Sequence, residues 1–357
     1  DLCRALRLRH DRPAGRDGAV NRRLRVAVLA GGRSSEHEIS LASARSVLAA
    51  LDPARYDAVA LEIGRDGRWA LPAATGEAGS VVETLPMPSA SAPATLGAVD
   101  VVLPILHGPF GEDGTVQGLL ELAGVPYVGA GVAASALCMD KDLFKAVLRD
   151  RGVPVARNVT LRAGDAVSNP FGYPVFVKPA RLGSSVGISK ARTPEELETA
   201  VALARRHDDK VLVEEFVAGV EVECGVLGNQ RPRPLASVVG EIVPHADWYD
   251  YAAKYDEGGS DIVVPARIPA QTAARVQELA VESFVATECE GMARVDFFVR
   301  ESDGEVVVNE INTIPGFTVT SVYARLFEAS GIPYAELLDR LIELALERHD
   351  RRSQLEY

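Results

Sequence analysis

Between Ala293 and Gly316 the chain reads ARVDFFVRESDGEVVVNEINTIPG, the stretch that most restricts the possible folds. Apolar runs flank an Asp-Gly turn, and the second run contains three consecutive valines, so the segment reads as a buried β-hairpin. Side chains alternate along a strand. Arg294 therefore shares a face with Asp296, and Glu310 shares one with Asn312. A three-residue loop, Ser302 to Gly304, predicts Asp296 opposite Glu310 and Arg294 opposite Asn312. A two-residue Asp303–Gly304 turn would instead oppose Asp296 to Ile311, because a slip of one residue turns every side chain over. On the longer loop, two carboxylates and an amide oxygen converge at the end of a buried strand pair. Oxygen ligands of this kind suit Mg²⁺, and burying two carboxylates with no cation would be costly. The alternative is a pair of solvated strand-end acids.

At 357 residues the chain is too long for one ordinary core, and two or three domains are expected. It is 47% hydrophobic and 25% charged, a soluble globular composition, with no apolar run long enough to span a bilayer. The net charge of -12 argues against a nucleic-acid partner, since phosphate backbones favour clustered Lys and Arg. Cys3, Cys138, Cys224 and Cys289 form no C-x-x-C pair, which predicts neither structural zinc nor a disulfide framework and suits a reduced, cytoplasmic setting. Residues 1–23 are arginine-rich without an apolar core and read as a disordered basic tail rather than a secretory signal.

The remainder divides into three parts. Residues 24–135 alternate strand and helix ("LRVAVLAGG", "SLASARSVLAAL", "YDAVALEIG", "DVVLPILHG"), which predicts an N-terminal α/β domain with a parallel sheet. Residues 136–226 predict a small α+β lobe. Its first helix is capped by Asp140, and a capping box (Thr193, Glu196) starts another. Between them Lys178 ends a strand just before a flexible loop, Gly183 to Gly187, whose N–H groups can cradle phosphate. Glu214 and Glu221 flank the next strand junction as candidate adenine and ribose anchors. Glu215 is a weaker candidate for the same nucleotide, and with Glu223 it also reads as a solvated edge. Residues 227–357 hold a polar, glycine-containing lid-like segment, the acidic hairpin and a C-terminal helix.

The motifs KPARLGSSVG, EEFVAGVE, ARVDFF and NEINTIPGFTVTSVY resemble the ATP-grasp carboxylate–amine ligases. LAGGRSSEHEISL and LPILHGPFGEDGTVQGLLELAGVPYVGAG narrow the resemblance to the D-alanine–D-alanine ligases, from about Leu24 to the C-terminal helix. It implies a three-domain ATP-grasp fold with nucleotide between the central and C-terminal lobes. It implies that ATP phosphorylates one D-alanine carboxylate and that the amine of a second D-alanine then attacks the acyl phosphate. By position, Asp296, Glu310 and Asn312 are implied ligands of two Mg²⁺ ions (or Mn²⁺). Lys141 and Lys178 are implied phosphate contacts, Glu214 and Glu221 nucleotide anchors, and Val217 a backbone contact to adenine. Glu36 would hold the first ammonium, with His107 in the same pocket. Arg294 and the Gly316 N–H would form the oxyanion site, and Ser321 and Lys254 would clamp the second carboxylate, with Lys254 also near the nucleotide. Ser184 and Tyr255 would bond across to Glu36. The resemblance further implies a homodimer, a cytoplasmic location and a role in peptidoglycan precursor synthesis.

The resemblance implies, through Tyr255, a D-amino acid such as D-alanine as second substrate, with D-lactate or D-serine the alternatives. A non-catalytic nucleotide-binding regulator is the alternative of another class, opposed by the intact set of lysines, acids and arginine. The dinucleotide fingerprint G-x-G-x-x-G is missing from AVLAGGRSSE, which removes an oxidoreductase reading.

Overall fold

A computed structural model describes residues 22–70, 99–244 and 260–356. Most of the arginine-rich tail, the Pro/Ser/Ala-rich stretch after residue 70, and Lys254 and Tyr255 lie outside the described residues.

The first sheet is built from β1 (Leu24–Gly31), β2 (Tyr56–Ile63), β3 (Trp69–Ala70) and β4 (Val101–Pro104), in the order β3-β2-β1-β4. β1 runs parallel to both β2 and β4, as the alternation of strand and helix predicts, and β3 turns back antiparallel. Both faces are covered from Val26 onward, so β1 reads apolar there: Val26, Ala27, Val28 and Leu29 are fully buried. Helices α1 (His37–Ala50), α2 (Thr115–Leu122), α3 (Val132–Met139) and α4 (Lys141–Asp150) follow the first and last of these strands. The expected cap of α4 is present: Asp140 accepts from the backbone N–H groups of Asp142 and Leu143, at 3.2 Å each.

The second sheet is antiparallel, ordered β5-β8-β6-β7, from β5 (Asn158–Leu161), β6 (Val175–Pro179), β7 (Ser189–Ala191) and β8 (Val211–Glu215). Helix α5 (Pro194–Ala204) covers it, and Thr193 caps that helix by accepting from the Glu196 N–H. Together they enclose a core of their own, including Val175, Val177, Leu197, Val201 and Val213.

The third sheet, ordered β11-β10-β9-β12-β13, is wholly antiparallel. Its strands are β9 (Gly219–Gly228), β10 (Leu235–Pro244), β11 (Ser260–Val263), β12 (Gly291–Arg300) and β13 (Val306–Asn312). Helices α6 (Ala270–Ala286), α7 (Val322–Ala329) and α8 (Tyr334–Ser353) pack around it. β9 lies in the middle of this sheet, so residues 219–226 pack with the C-terminal lobe rather than the central one to which a boundary at 226 assigns them. α3 and α4 likewise share a core with β9, β12 and β13. These partners are distant in the chain, and no local pattern marks them. Cys224 is the small core residue its alternation with Val222 and Val226 predicts.

The hairpin reaches the expected pairing by an unexpected route. Asp296 opposes Glu310 and Arg294 opposes Asn312, but beyond a β-bulge Phe297 opposes Val308. The turn holds four residues, 301 to 304, not three: Arg300 N–H donates to Glu305 O at 2.9 Å, and Gly304 N–H to Arg300 O. Asn309 is the extra residue of the bulge and returns the register by one. Gly304 does adopt the left-handed conformation, at φ +73°.

Candidate active site

A cleft of about 320 Å³ opens between the second and third sheets. Lys141, Lys178, Gly183, Ser184, Glu214 and Glu215 line it from one side, and Glu221, Glu241, Asn309 and Glu310 from the other. Val217 joins them at the crossing between lobes and is buried. Ser184 and Ser185 of the glycine-rich loop both take left-handed φ values, +53° and +57°, ahead of Gly187 at +72°. Such consecutive turns point several backbone N–H groups the same way, as an anion cradle requires.

Lys178 ends β6 beside this loop. Phe176 pairs directly with Glu214 across β6 and β8, which puts Lys178 diagonal to Glu214 on one face. Lys178 Nζ donates to Glu214 Oε1 at 2.5 Å and to Asn309 Oδ1 at 3.2 Å. The other carboxylate oxygen of Glu214 takes Lys145, a fully buried lysine on α4. The pKa of Glu214 stays low: burial pushes it up, but the two lysines outweigh burial. Glu214 therefore serves as the centre of a Lys-Glu-Lys cluster as well as lining the cleft. Glu215 borders a second pocket as well, beside Arg157, and accepts from Arg157 Nε at 2.7 Å. Lys141 Nζ donates to Leu182 O at 2.7 Å and lies 3.9 Å from Glu310.

On the hairpin, Arg294 grips both oxygens of Asp296 at 2.7 Å, and Asn312 Nδ2 donates to Asp296 Oδ2 at 2.9 Å. Arg294 Nε also lies 2.9 Å from Glu223. The solvated-edge reading of Glu223 is thus overturned: β9 is a central strand, and Glu223 is 1% exposed opposite Asp296. Burial works against the Arg294 charge, but Asp296, Glu223 and Glu310 more than offset it and raise its pKa well above the usual value. Among the described residues no three His, Cys, Asp or Glu side chains form a metal-binding group. The set here is two carboxylates and one amide, an all-oxygen set that fits Mg²⁺ when phosphate oxygens and water complete the shell.

The first domain closes the end of this site. Glu36 sits at the N-terminus of α1 and is 8% exposed. Its Oε2 would stand 2.9 Å from a Cβ at Gly108, which also holds φ +72°, so bare backbone suits that close approach; a Cβ at Gly183 would meet it at 3.7 Å, an ordinary contact. His107 Nδ1 donates to Ile314 O at 3.0 Å, and its buried Nε2 has no partner among the described residues. Burial lowers the His107 pKa, with Glu36 opposing, so the neutral ring is favoured. Glu112 accepts from the N–H of Gly108 at 2.8 Å and of Ile314 at 3.0 Å. Burial, then Glu36, pushes its pKa up to about 8. Together His107 and Glu112 hold both backbone groups of Ile314, two residues before Gly316. Beyond it, Ser321 Oγ accepts from Thr318 N–H at 2.9 Å and lies 3.4 Å from where a Gly316 Cβ would stand.

The sequence reading missed Lys145, Asn309, Glu112 and Glu241, the last held by Arg267 through both carboxylate oxygens. It also missed Phe176 and Phe216, whose rings lie 6.1 Å apart at the cleft. Lys145 stands one turn after Lys141 on an apolar helix face, a local clue to a buried charge. The others depend on tertiary register.

Two antiparallel sheets that close on one cleft, with lysines on one wall and an acidic hairpin on the other, place the protein in the ATP-grasp class of carboxylate–amine ligases. Family models described as D-ala D-ala ligase N-terminus and C-terminus match residues 25–130 and 147–343. A D-alanine--D-alanine ligase from Solibacter usitatus is 48% identical over 334 residues, covering 92% of this chain and 98% of its own. The VanG D-Ala:D-Ser ligase of Enterococcus faecalis superposes with a TM-score of 0.81 at 38% identity, covering 91% of this chain and 100% of its own. A Bacillus anthracis D-alanine--D-alanine ligase complexed with ATP superposes at 0.75 and 27% identity, covering 92% and 99%. The chain belongs to the D-alanine–D-alanine ligase family. No described helix is long and apolar enough to cross a membrane.

Proposed function

We propose that this protein joins two D-alanine molecules into D-alanyl-D-alanine with ATP, as a step in peptidoglycan precursor synthesis. The observation that carries this is one cleft lined by Lys141, Lys178 and Glu310, with Asp296 paired to Glu310 on the hairpin and Glu36 of the first domain reaching towards Gly183 of the glycine-rich loop. The glycine-rich loop and the two lysines bind the ATP phosphates, and Glu214, Glu221 and the Val217 backbone hold the nucleoside end. Phe176 and Phe216 supply an apolar wall there. Asp296, Glu310 and Asn312 would hold two Mg²⁺ ions, or Mn²⁺, which neutralise phosphate charge.

Glu36 takes the ammonium of the first D-alanine, and the lone pair on His107 Nε2 is an acceptor beside it. The D-alanine carboxylate attacks the γ-phosphorus and ADP departs. The free amine of the second D-alanine then attacks the acyl carbon; phosphate leaves with the C–O electrons, and the nitrogen loses a proton. Arg294 and the Gly316 N–H stabilise the oxyanion formed in between. Ser321 and Lys254 hold the second carboxylate, and Ser184 and Tyr255 link to Glu36. A homodimer in the cytoplasm is the assembly we expect.

Phosphate release from Mg-ATP tests the reading with D-alanine, L-alanine, D-serine or D-lactate supplied in turn. D-alanine alone should drive release and yield the dipeptide. Release with no acceptor, or a preference for D-lactate near neutral pH, would refute it. D-serine is included because the VanG enzyme shares this fold so closely.

A further inference from the structure

Lys145 has no part in the reaction just described, yet it is 0% exposed and lies one helical turn from Lys141 on α4. Burying an ammonium is unfavourable unless a partner compensates it, and an apolar residue of similar volume would stabilise the fold at least as well. The compensation comes from Glu214, which gives one oxygen to Lys145 and the other to Lys178. Without Lys145, both oxygens of Glu214 would be left to Lys178 and would cancel its charge. With Lys145 present the cluster carries one net positive charge. Lys178 then keeps a second contact, to Asn309 on the opposite wall of the cleft.

We propose that Lys145 is a positioning residue for nucleotide binding: it ties down one oxygen of Glu214, so that the Lys178 charge stays directed at the ATP phosphates. The proposal rests on the ligase reading for the identity of the nucleotide. Among the described residues, the charged groups that face Lys145 are Glu214 on β8, Lys178 on β6 and Lys141 on its own helix. Burial lowers its pKa to about 8, with Glu214 opposing and the two neighbouring lysines assisting. As pH rises through 8, Lys145 loses its proton, the net charge of the cluster falls to zero, and nucleotide affinity falls with it.

The test uses the full chain and Lys145→Met. Calorimetric titration gives the Kd for Mg-ADP from pH 7 to 9.5, and phosphate release gives KM for ATP and for D-alanine. Lys145→Met should weaken Mg-ADP about tenfold at pH 7, a loss of about 1.4 kcal/mol, and leave KM for D-alanine within about twofold. Wild-type affinity should fall above pH 8, and the variant's should be flat across the range. Unchanged Mg-ADP affinity in the variant, equal losses for nucleotide and D-alanine, or a pH limb that persists without Lys145 would overturn the proposal. Should the variant fail to fold, a flat wild-type profile alone overturns it. The Mg-ADP arm needs no turnover, so a failure of the ligase reading would appear separately, as absent D-alanine-dependent phosphate release.

Discussion

Replacing Arg348 with Met should loosen the first domain from the C-terminal lobe. Arg348 lies on α8, 3% exposed, and reaches across to the first domain. It donates to Tyr127 O at 2.7 Å and to Gly129 O, and its guanidinium stands 4.3 Å from the Tyr127 ring centroid. Methionine fills the volume of the stem but supplies no donor, which leaves two backbone carbonyls unsatisfied. A hydrogen bond from a charged donor is worth about 1.5–3 kcal/mol, and the cation–π contact adds about 1 kcal/mol. The nearby Glu290 is not orphaned, because Arg351 and Arg352 also pair with it. Neighbouring losses overlap, so the expected cost is about 3–5 kcal/mol. Urea unfolding followed by circular dichroism measures it. Gly129 also packs against Gly291, where a side chain would meet its backbone at 3.0 Å, so KM for D-alanine should rise more than KM for ATP. A loss below about 1 kcal/mol, or an equal rise in both KM values, would refute this account of the junction.

Glu310→Gln should lower turnover by about a thousandfold or more and leave the unfolding midpoint nearly unchanged, since the side chain is only half-buried; near-normal phosphate release would refute its proposed metal role. The His107 pKa is lowered in the fold, so as pH drops below about 6.5 the unfolded chain takes up a proton that the native ring resists, and stability falls. His107→Asn should flatten that acid limb between pH 6.5 and 5, as read from unfolding midpoints. Gly31→Ala should destabilise by about 1–3 kcal/mol, because Gly31 holds φ +88° and a Cβ there would press on the Ile63 carbonyl; thermal melting checks it.

The parts of this structure legible from sequence are those written in local pattern. The run Val26 to Leu29 announced a strand covered on both faces, and Asp140 and Thr193 announced their helix starts through capping chemistry. The face shared by Glu310 and Asn312 followed from strand alternation alone. Glu223 failed as an edge acid because only tertiary pairing puts β9 between β10 and β12. Helix spacing put Lys145 on the buried face, but its partner Glu214 lies 69 residues away on β8 and only the tertiary structure pairs them. Asn309 escaped because a bulge and a longer turn cancel, leaving the endpoints of the hairpin just where a simpler loop would have left them.

That cancellation bears on how the segment can vary in length. The pairing of Glu310 with Asp296 survives loss of one turn residue, because Arg300 still faces Glu305, and it survives loss of Asn309, because the two strands then run without a bulge. Only the second deletion removes the amide that touches Lys178. Relatives one residue shorter between the two acids should therefore fall into two groups, with and without a polar neighbour for that lysine, a split visible in aligned sequences before any enzyme is assayed.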